Sequence, residues 1–351
     1  MTAAKKKNSR RKQARFRSSR RKRIRNTVLL LFLLVVLGGT GIGAIYVLRN
    51  GTVFDKLEDA YVASREFSGG ITDLDSLRAD GFAENLCVVV SDVPMDGVSL
   101  GENQKGLLLD LDDRKVLYSK QALQKVYPAS ITKIMTAMLA LKYGNMDDVV
   151  TITQENLNLE EGSQVCGFWA GDQVTMDQLL HCLLVYSGND AAAAIAEHVG
   201  GSTDGFVEMM NSYARELGCT GTHFTNPHGL QDENHYTTPY DIYLMLKEAL
   251  NYPEFTQITQ SGSYTVEYTH ADGSSASTTL LATDHYLTGE ATPPKNVTIL
   301  GGKTGTTDNA GNCLALLSQN AYGKPYISIV MGASTKDELY EQMSSLLQNI
   351  N

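Results

Sequence analysis

The chain contains 351 residues, a length that favours about two domains or one large domain with additions. Apolar residues make up 42% and charged residues 20%, so the chain can form a sizeable core and is not globally disordered. Only five cysteines are present, which excludes a disulfide-based scaffold.

The net charge of −9 conceals a division along the chain. Thirteen basic residues and no acidic residue lie from Lys5 to Arg25, whereas the chain from Asn50 onward carries 16 basic and 39 acidic residues. Between these regions, Thr27 to Leu48 form a run of 22 residues without a charge. As a helix this run spans about 33 Å, close to the thickness of a bilayer core. It therefore predicts a transmembrane segment.

Basic residues before the apolar run predict a cytoplasmic N-terminus, with the rest of the chain outside the cell membrane. This position favours a topology signal over a nucleic-acid-binding tail. A cleaved signal peptide is the alternative, because Gly41 and Gly43 are small enough for cleavage, but the run exceeds the usual length of a signal core. We therefore predict a basic tail at residues 1–26, a single-pass anchor at 27–48, a polar stalk at 49–85 and a globular domain at 86–351.

The globular region begins with strand signals and continues with helices. Strands are predicted at residues 86–92, 105–111 and 116–120. Helix starts, given by capping residues or amphipathic repeats, are predicted near Pro128, Thr175, Asp190, Thr203 and Thr238. Strand signals return at residues 263–269, 277–281, 297–307, 313–318 and 326–332, before a last helix at 335–349. This order predicts an α+β domain whose antiparallel sheet is completed by both chain ends, with a helical insert.

The first motif with chemical meaning is Ser130-Ile131-Thr132-Lys133, at the start of a predicted helix. Residues three apart share a helix face, so the hydroxyl of Ser130 and the amine of Lys133 can meet. Free N–H groups at the helix start can stabilise a developing oxyanion. A Ser–Lys pair can act as nucleophile and base. The spacing alone is common, and it also describes a capping serine beside a solvated lysine.

Two further motifs are equally weak when taken alone. Ser187-Gly188-Asn189 lies between two predicted helices and is built of ordinary turn residues. Lys303-Thr304-Gly305 ends a predicted strand. Its lysine and threonine offer a cation and a hydroxyl to a carboxylate, and its glycine lets a ligand backbone approach the strand. An exposed lysine at a strand end is the alternative.

The three motifs together are informative because S-x-x-K, S-x-N and K-T-G in this order are the signature of penicillin-binding proteins and class A β-lactamases. The segments PASITKIMTAML, THFTNPHGLQDENHYTT and GGKTGTTDNAG support the same assignment. From about Leu107 to Ile350, the chain resembles the serine-type D-alanyl-D-alanine carboxypeptidases, which are low-molecular-weight penicillin-binding proteins.

This resemblance implies a β-lactamase/penicillin-binding-protein-like fold, in which an antiparallel sheet with flanking helices meets a helical subdomain at the active-site cleft. It implies that Ser130 is the acyl-enzyme nucleophile, that Lys133 is its base and that Ser187 relays protons. It also implies a place in peptidoglycan synthesis and cell shape, with D-Ala-D-Ala stem peptides as substrates and β-lactams as covalent inhibitors. No cofactor and no metal are expected, and the expected location is the bacterial cell membrane.

The resemblance also assigns the substrate contacts. Asn189 is expected to hold the substrate amide, and Lys303, Thr304 and Gly305 to receive the terminal carboxylate. The backbone N–H groups of Ser130 and Thr306 are expected to form the oxyanion hole.

An additional cation often assists the substrate carboxylate in this family. Lys336 is the only basic residue after the last predicted strand, so it is a candidate, with a solvated lysine at a helix start as the alternative. Family members also commonly carry a C-terminal β-rich domain and a C-terminal amphipathic anchor. About 45 residues follow Gly305 here, so we expect the N-terminal span to provide the anchor instead.

A lysine base requires an altered pKa, because an ordinary lysine has a pKa of about 10.4 and is almost entirely protonated at neutral pH. Burial and a neighbouring cation both lower a lysine pKa. Lys303 is the candidate for that second cation, so Lys133 and Lys303 are expected to titrate as a coupled pair.

Other functions are less well supported by the residues. A class A β-lactamase needs a carboxylate that activates the deacylating water. Asp232 and Glu233 are the acids of the corresponding loop, and no E-x-x-L-N pattern surrounds them. A β-lactam receptor needs an intracellular effector, and the 26-residue tail is too short to fold as one. His223, His228 and His235 are too irregularly spaced for a familiar zinc site. Carboxypeptidase, endopeptidase and transpeptidase activities share these motifs.

Overall fold

The computed structural model describes residues 85–350. The predicted tail, the predicted membrane anchor and all but the last residue of the predicted stalk lie outside it. Within the described part, no helix combines the length and the apolar character needed to cross a membrane.

The described chain forms strands at both ends and helices between them. The strands are β1 Lys105–Asp110, β2 Lys115–Lys120, β3 Val149–Thr151, β4 Gln173–Thr175, β5 Ser263–Thr269, β6 Ser275–Leu281, β7 Thr298–Thr307, β8 Gly311–Gln319 and β9 Pro325–Ala333. The α-helices are α1 Lys133–Tyr143, α2 Met176–His181, α3 Asn189–Gly200, α4 Thr203–Glu216, α5 Pro239–Ala249, α6 Pro253–Thr259, α7 His285–Thr288 and α8 Lys336–Leu347.

The main sheet has the strand order β2-β1-β9-β8-β7, and all of its neighbours are antiparallel. The predicted sheet completed by both chain ends is therefore confirmed, as is the meander of the last three strands. Strand β7 is an edge strand, so one side of the K-T-G segment is free to face the helical region. Helix α8 packs on one face of the sheet, where Leu339, Met343 and Leu346 are buried against it.

Helix α1 runs through the centre of the domain. Residues 133–140 are all buried, although the helix has little amphipathic contrast, because other elements cover it on several sides. Helix α3 packs closely beside it, and its four consecutive alanines, Ala191–Ala194, permit that close approach. The nucleophile candidate Ser130 therefore stands at the start of a rigid, fully packed element.

A second sheet has the order β3-β4-β5-β6. Strands β5 and β6 confirm the two strands predicted at residues 263–269 and 277–281, with β6 starting two residues earlier than expected. Strands β3 and β4 were not predicted, because each has only three residues, which is too short for a period-two pattern to stand out in the sequence.

The strand predicted at residues 86–92 is wrong. Cys87 and Val89 are buried, but Val88 and Val90 are exposed, and the segment joins no sheet. The hydroxyl of Tyr243 accepts the N–H of Cys87 at 2.9 Å, and Val93, the residue after this segment, forms an isolated bridge with Ser119 of β2. Buried and exposed side chains alternate here because one side of an extended segment faces the domain, and the segment does not pair with a strand of either sheet.

Two predicted helices differ from regular α-helices at the places where the motifs lie. The helix expected from Pro128 begins as a 3₁₀ turn, Ala129–Thr132, before α1. The helix that Thr175 opens with a capping box becomes a π-helix at Cys182–Tyr186. A π-turn inserts an extra residue, and such segments are frequent at functional sites because they redirect the following side chains.

Candidate active site

The three motifs meet at a cavity of about 360 Å³ between edge strand β7 and the helical region. Its walls include the predicted site residues Ser130, Ser187, Asn189, Thr304, Gly305, Thr306 and Lys336. Lys133 and Lys303 lie behind this surface, where each side chain is almost completely buried. All nine predicted site residues are thus brought to one place.

Local backbone strain presents Ser130 to the cavity. Ala129 has a φ of 47°, in the left-handed region that a residue with a β-carbon rarely adopts. The 3₁₀ turn then leads directly into α1 and places Lys133 one turn below Ser130. Strained residues next to a functional group persist only where the surrounding structure holds them, as the packing of α1 does here.

The amine of Lys133 has three oxygen partners. A neutral amine has two protons and one lone pair to direct at them. Its Nζ lies 2.9 Å from Oγ of Ser130, 2.6 Å from Oδ1 of Asn189 and 2.8 Å from the backbone oxygen of His228. The two carbonyl oxygens can only accept hydrogen bonds, whereas the hydroxyl can also donate. A neutral amine would therefore donate to the carbonyls and direct its lone pair toward the hydroxyl proton of Ser130.

Ser187 owes its position to the π-helix that precedes it. The residue has a φ of 71°, a left-handed conformation, and the next helix begins at Asn189. The buried carboxylate of Asp190 fixes this junction by accepting the N–H of Cys166 at 2.8 Å and that of Gly167 at 3.2 Å. Ser187 and Asn189 consequently project from a rigid elbow toward the two lysines.

Lys303 connects strand β7 to this elbow. Its Nζ donates to Oγ of Ser187 at 2.9 Å and to the backbone oxygen of Thr304 at 2.9 Å. The hydroxyl of Thr304 lies 2.5 Å from that of Thr283. The site therefore contains two hydrogen-bonded groups. Lys133 joins Ser130 and Asn189 in the first, and Lys303 joins Ser187 and Thr304 in the second.

Gly305 is required by the close approach of β7 to the nucleophile. A β-carbon at this position would lie 2.9 Å from the backbone nitrogen of Ser130 and 3.0 Å from that of Ile131. The strand can therefore approach the N–H groups at the start of the 3₁₀ turn only because position 305 has no side chain. This contact brings the backbone of β7 beside the N–H of Ser130.

The two lysines have strongly altered proton affinities. Burial, followed by the charge of Lys303, holds the pKa of Lys133 well below its ordinary value. Burial lowers the pKa of Lys303 to about 7, while the charge of Asp284 acts in the opposite direction. The expectation that burial and a second cation would depress the pKa of Lys133 is confirmed.

Thr306 and Lys336 lie at the outer part of the cavity. The hydroxyl of Thr306 donates to Oδ1 of Asn312 at 3.1 Å. Lys336 is the first residue of α8 and is exposed where it lines the cavity. Its amine is therefore accessible to an anion in the cavity, as a carboxylate contact requires.

Sequence reasoning missed the carboxylate behind Lys303. Asp284 is buried, and its Oδ1 accepts the N–H of Tyr286 at 3.0 Å and the hydroxyl of Tyr340 at 3.2 Å. Its second oxygen, Oδ2, is buried and has no hydrogen-bond partner within residues 85–350. Asp284 reads locally as a helix cap, and nothing in its neighbourhood along the chain points to Lys303.

The histidines of the 223–235 loop support the site structurally. The ring of His235 lies 2.8 Å from the hydroxyl of Thr132, and the N–H of Leu230 bonds the ring of His228 at 3.2 Å. Burial lowers the pKa of His228 to about 3 and that of His235 to about 4, so both are neutral at ordinary pH. Within residues 85–350, no group of three or more His, Cys, Asp or Glu could hold a metal ion.

Comparison with known proteins agrees with this geometry. Residues 101–335 match the peptidase S11 family, described as D-alanyl-D-alanine carboxypeptidase. The chain is 36% identical over 251 residues to D-alanyl-D-alanine carboxypeptidase DacF of Bacillus subtilis, covering 70% of this chain and 61% of that protein. It is 33% identical over 253 residues to D-alanyl-D-alanine carboxypeptidase DacC of Escherichia coli, covering 69% of this chain and 59% of that protein.

The chain thus spans about three fifths of the length of these curated relatives. Among solved structures, it is similar to the Streptomyces K15 DD-transpeptidase, with a TM-score of 0.65 and 27% sequence identity. That likeness covers 74% of this chain and 98% of the transpeptidase. The described fold therefore corresponds to nearly the whole of a DD-transpeptidase.

Proposed function

Because this chain belongs to the peptidase S11 family of D-alanyl-D-alanine carboxypeptidases, we propose that it removes the terminal D-alanine from peptidoglycan stem peptides through an acyl-enzyme on Ser130. One observation carries the proposal: among the described residues, the amine of Lys133 has Ser130 as its only hydroxyl partner, beside two carbonyl acceptors. This arrangement supports a neutral lysine that accepts the serine proton.

In the proposed acylation, Oγ of Ser130 attacks the carbonyl carbon of the penultimate D-alanine as its proton passes to Nζ of Lys133. The resulting oxyanion is placed beside the N–H groups of Ser130 and Thr306, where donors are already fixed before the reaction. The C–N bond then breaks, and the leaving amine takes a proton that Lys133 returns, with Ser187 as the relay. Free D-alanine leaves the cavity.

In the proposed deacylation, a water molecule enters the space that D-alanine has left. Lys133 removes its proton as the water attacks the ester, and Ser130 recovers its proton as the ester bond breaks. A β-lactam follows the same first step, but its leaving nitrogen remains tethered to the acyl group. That nitrogen occupies the path of the water, so we expect the penicillin adduct to clear slowly.

The proposed carboxylate subsite uses three groups. Lys303 supplies a buried cation, Thr304 a hydroxyl that already bonds Thr283, and Lys336 an exposed cation at the cavity rim. Asn189 lines the cavity and its Oδ1 accepts from Lys133, so in the proposed complex its amide N–H can donate to the substrate.

Mass spectrometry of a defined pentapeptide tests this function. We expect the full-length protein in detergent to convert a peptide ending in D-Ala-D-Ala into the tetrapeptide and an equal amount of D-alanine, and to leave a peptide ending in D-Ala-L-Ala intact. The same reaction with an added amino-acid acceptor measures transpeptidation. If the peptide–acceptor adduct predominates in dilute acceptor, the carboxypeptidase assignment is wrong and a transpeptidase is indicated.

The proposed location is the outer face of the cell membrane, with an N-terminal anchor. The 22-residue uncharged run and the 13 basic residues before it support this topology. External protease on intact cells should then digest the globular domain and leave a small N-terminal fragment in the membrane. A soluble mature protein that begins near Ala44 would instead identify the run as a cleaved signal peptide.

A further inference from the structure

An exposed aromatic platform lies on the same loop that lines the cavity. Trp169 is 67% exposed, yet its indole ring stacks on the ring of His270 with centroids 4.7 Å apart and planes 19° apart. It is also the only tryptophan of the chain. One face of the ring is thus covered by a neighbour, while most of the residue remains open to solvent.

The platform is held rigidly from below by Asp172. This carboxylate is 1% exposed and has both oxygens engaged. Its Oδ1 lies 2.7 Å from Nδ1 of His270, and its Oδ2 accepts the backbone N–H of Trp169 at 2.8 Å. The ring of Tyr268 braces His270 edge-on at 5.4 Å. A buried carboxylate therefore fixes the position of an exposed aromatic ring. Because the ring is exposed, it contributes little to the core, and packing alone does not account for this arrangement.

The surroundings of Trp169 limit what could bind there. Val165 is the other markedly exposed apolar side chain on this loop, so the apolar area is smaller than a stable protein interface needs. Membrane association through anionic lipids requires basic residues, and the chain from Asn50 onward is strongly acidic. A neutral ligand with one flat apolar face fits these features better, and the C–H face of a pyranose ring is such a surface.

Position along the chain connects the platform to the proposed substrate. Gln164 lines the cavity, and Trp169 follows it by five residues, so their Cα atoms are separated by at most about 18 Å. A stem peptide of five residues has a similar extended length and is attached at its other end to the glycan strand. A peptide whose D-alanine end lies at Ser130 can thus bring its own glycan within reach of Trp169.

We propose that Trp169, fixed by His270 and Asp172, is a saccharide-binding site that stacks on the N-acetylhexosamine glycan to which the stem peptide is attached. This proposal rests on the proposed function for the identity of the polymer, but the binding itself does not need catalysis. The site would favour stem peptides on glycan strands over free peptides of the same sequence.

The single tryptophan allows a direct binding test on the full-length protein in detergent. Titration with a β-1,4-linked N-acetylglucosamine oligosaccharide should change the fluorescence of Trp169 in a saturable manner. Ser130→Ala should respond like the unaltered protein, whereas His270→Ala, which keeps the tryptophan but removes its stacking partner, should bind more weakly. A spectrum that does not change at millimolar saccharide overturns the proposal, whatever the result of the peptide assay.

Kinetics supply the second test. Trp169→Ala should lower kcat/KM about tenfold for a glycan-linked pentapeptide, as expected for the loss of one aromatic stacking contact, and leave the free pentapeptide within about twofold. Trp169→Phe should retain most of the preference, and penicillin labelling of both variants checks their folding. An equal effect of Trp169→Ala on both substrates overturns the proposal.

Discussion

Replacement of Ser130 by alanine is expected to abolish covalent labelling by a fluorescent penicillin and to lower D-alanine release by about 10,000-fold or more. The label is an ester to Oγ of Ser130, so no adduct can form without that oxygen. The substitution removes one atom from a residue at the cavity surface and should leave the fold intact. Gel fluorescence and mass spectrometry of the labelled protein measure the first effect, and the pentapeptide assay measures the second.

Ser163→Ala is the matched control, because Ser163 also lines the cavity but is not among the hydrogen-bond partners of Lys133 within residues 85–350. It should remain labelled. In the unaltered protein the label should persist far longer than the acyl-enzyme formed from the stem peptide, because the tethered leaving nitrogen of penicillin occupies the path of the water. Labelling that survives in folded Ser130→Ala would point to another nucleophile, and rapid repeated turnover of penicillin would favour a β-lactamase.

The second large effect is a bell-shaped dependence of kcat/KM on pH. Lys133 must be neutral to accept a proton, so activity should rise as pH increases through its lowered pKa. Lys303 must be charged to bind the carboxylate, so activity should fall as pH rises through its pKa of about 7. Loss of a charge-assisted hydrogen bond predicts a fall of about 10- to 100-fold on the alkaline side.

Asp284→Asn tests the origin of the alkaline limb. The charge of Asp284 favours the protonated form of Lys303, so its removal should lower the pKa of Lys303 further and move the alkaline midpoint to lower pH. Asn keeps the oxygen that accepts from Tyr286 and Tyr340. Asp337→Asn, which removes an exposed carboxylate beside Lys336, should leave the midpoint unchanged. If the Asp284 variant does not move it, Lys303 is not the group responsible.

The departures from regular helices show why the site could be predicted only in part. Sequence spacing identified Ser130 and Lys133 as one helical turn apart, because that relation is local. It did not predict the strained Ala129, the π-turn before Ser187 or the left-handed conformation of Ser187 itself. Each of these depends on packing against elements that are distant in sequence, and no local periodicity reports such packing.

The motifs of the sequence predict nine site residues, and the fold brings all nine to one cavity, while local capping and strand signals predict the helix that contains α1 and the strands β7 to β9. Two features of the site arise only from contacts between distant parts of the chain: the backbone oxygen of His228 is a partner of Lys133, and the buried charge of Asp284 opposes the loss of the Lys303 proton. Helix and strand patterns arise from repeating local geometry, whereas a lysine's proton affinity arises from burial and from charges that reach it across the fold.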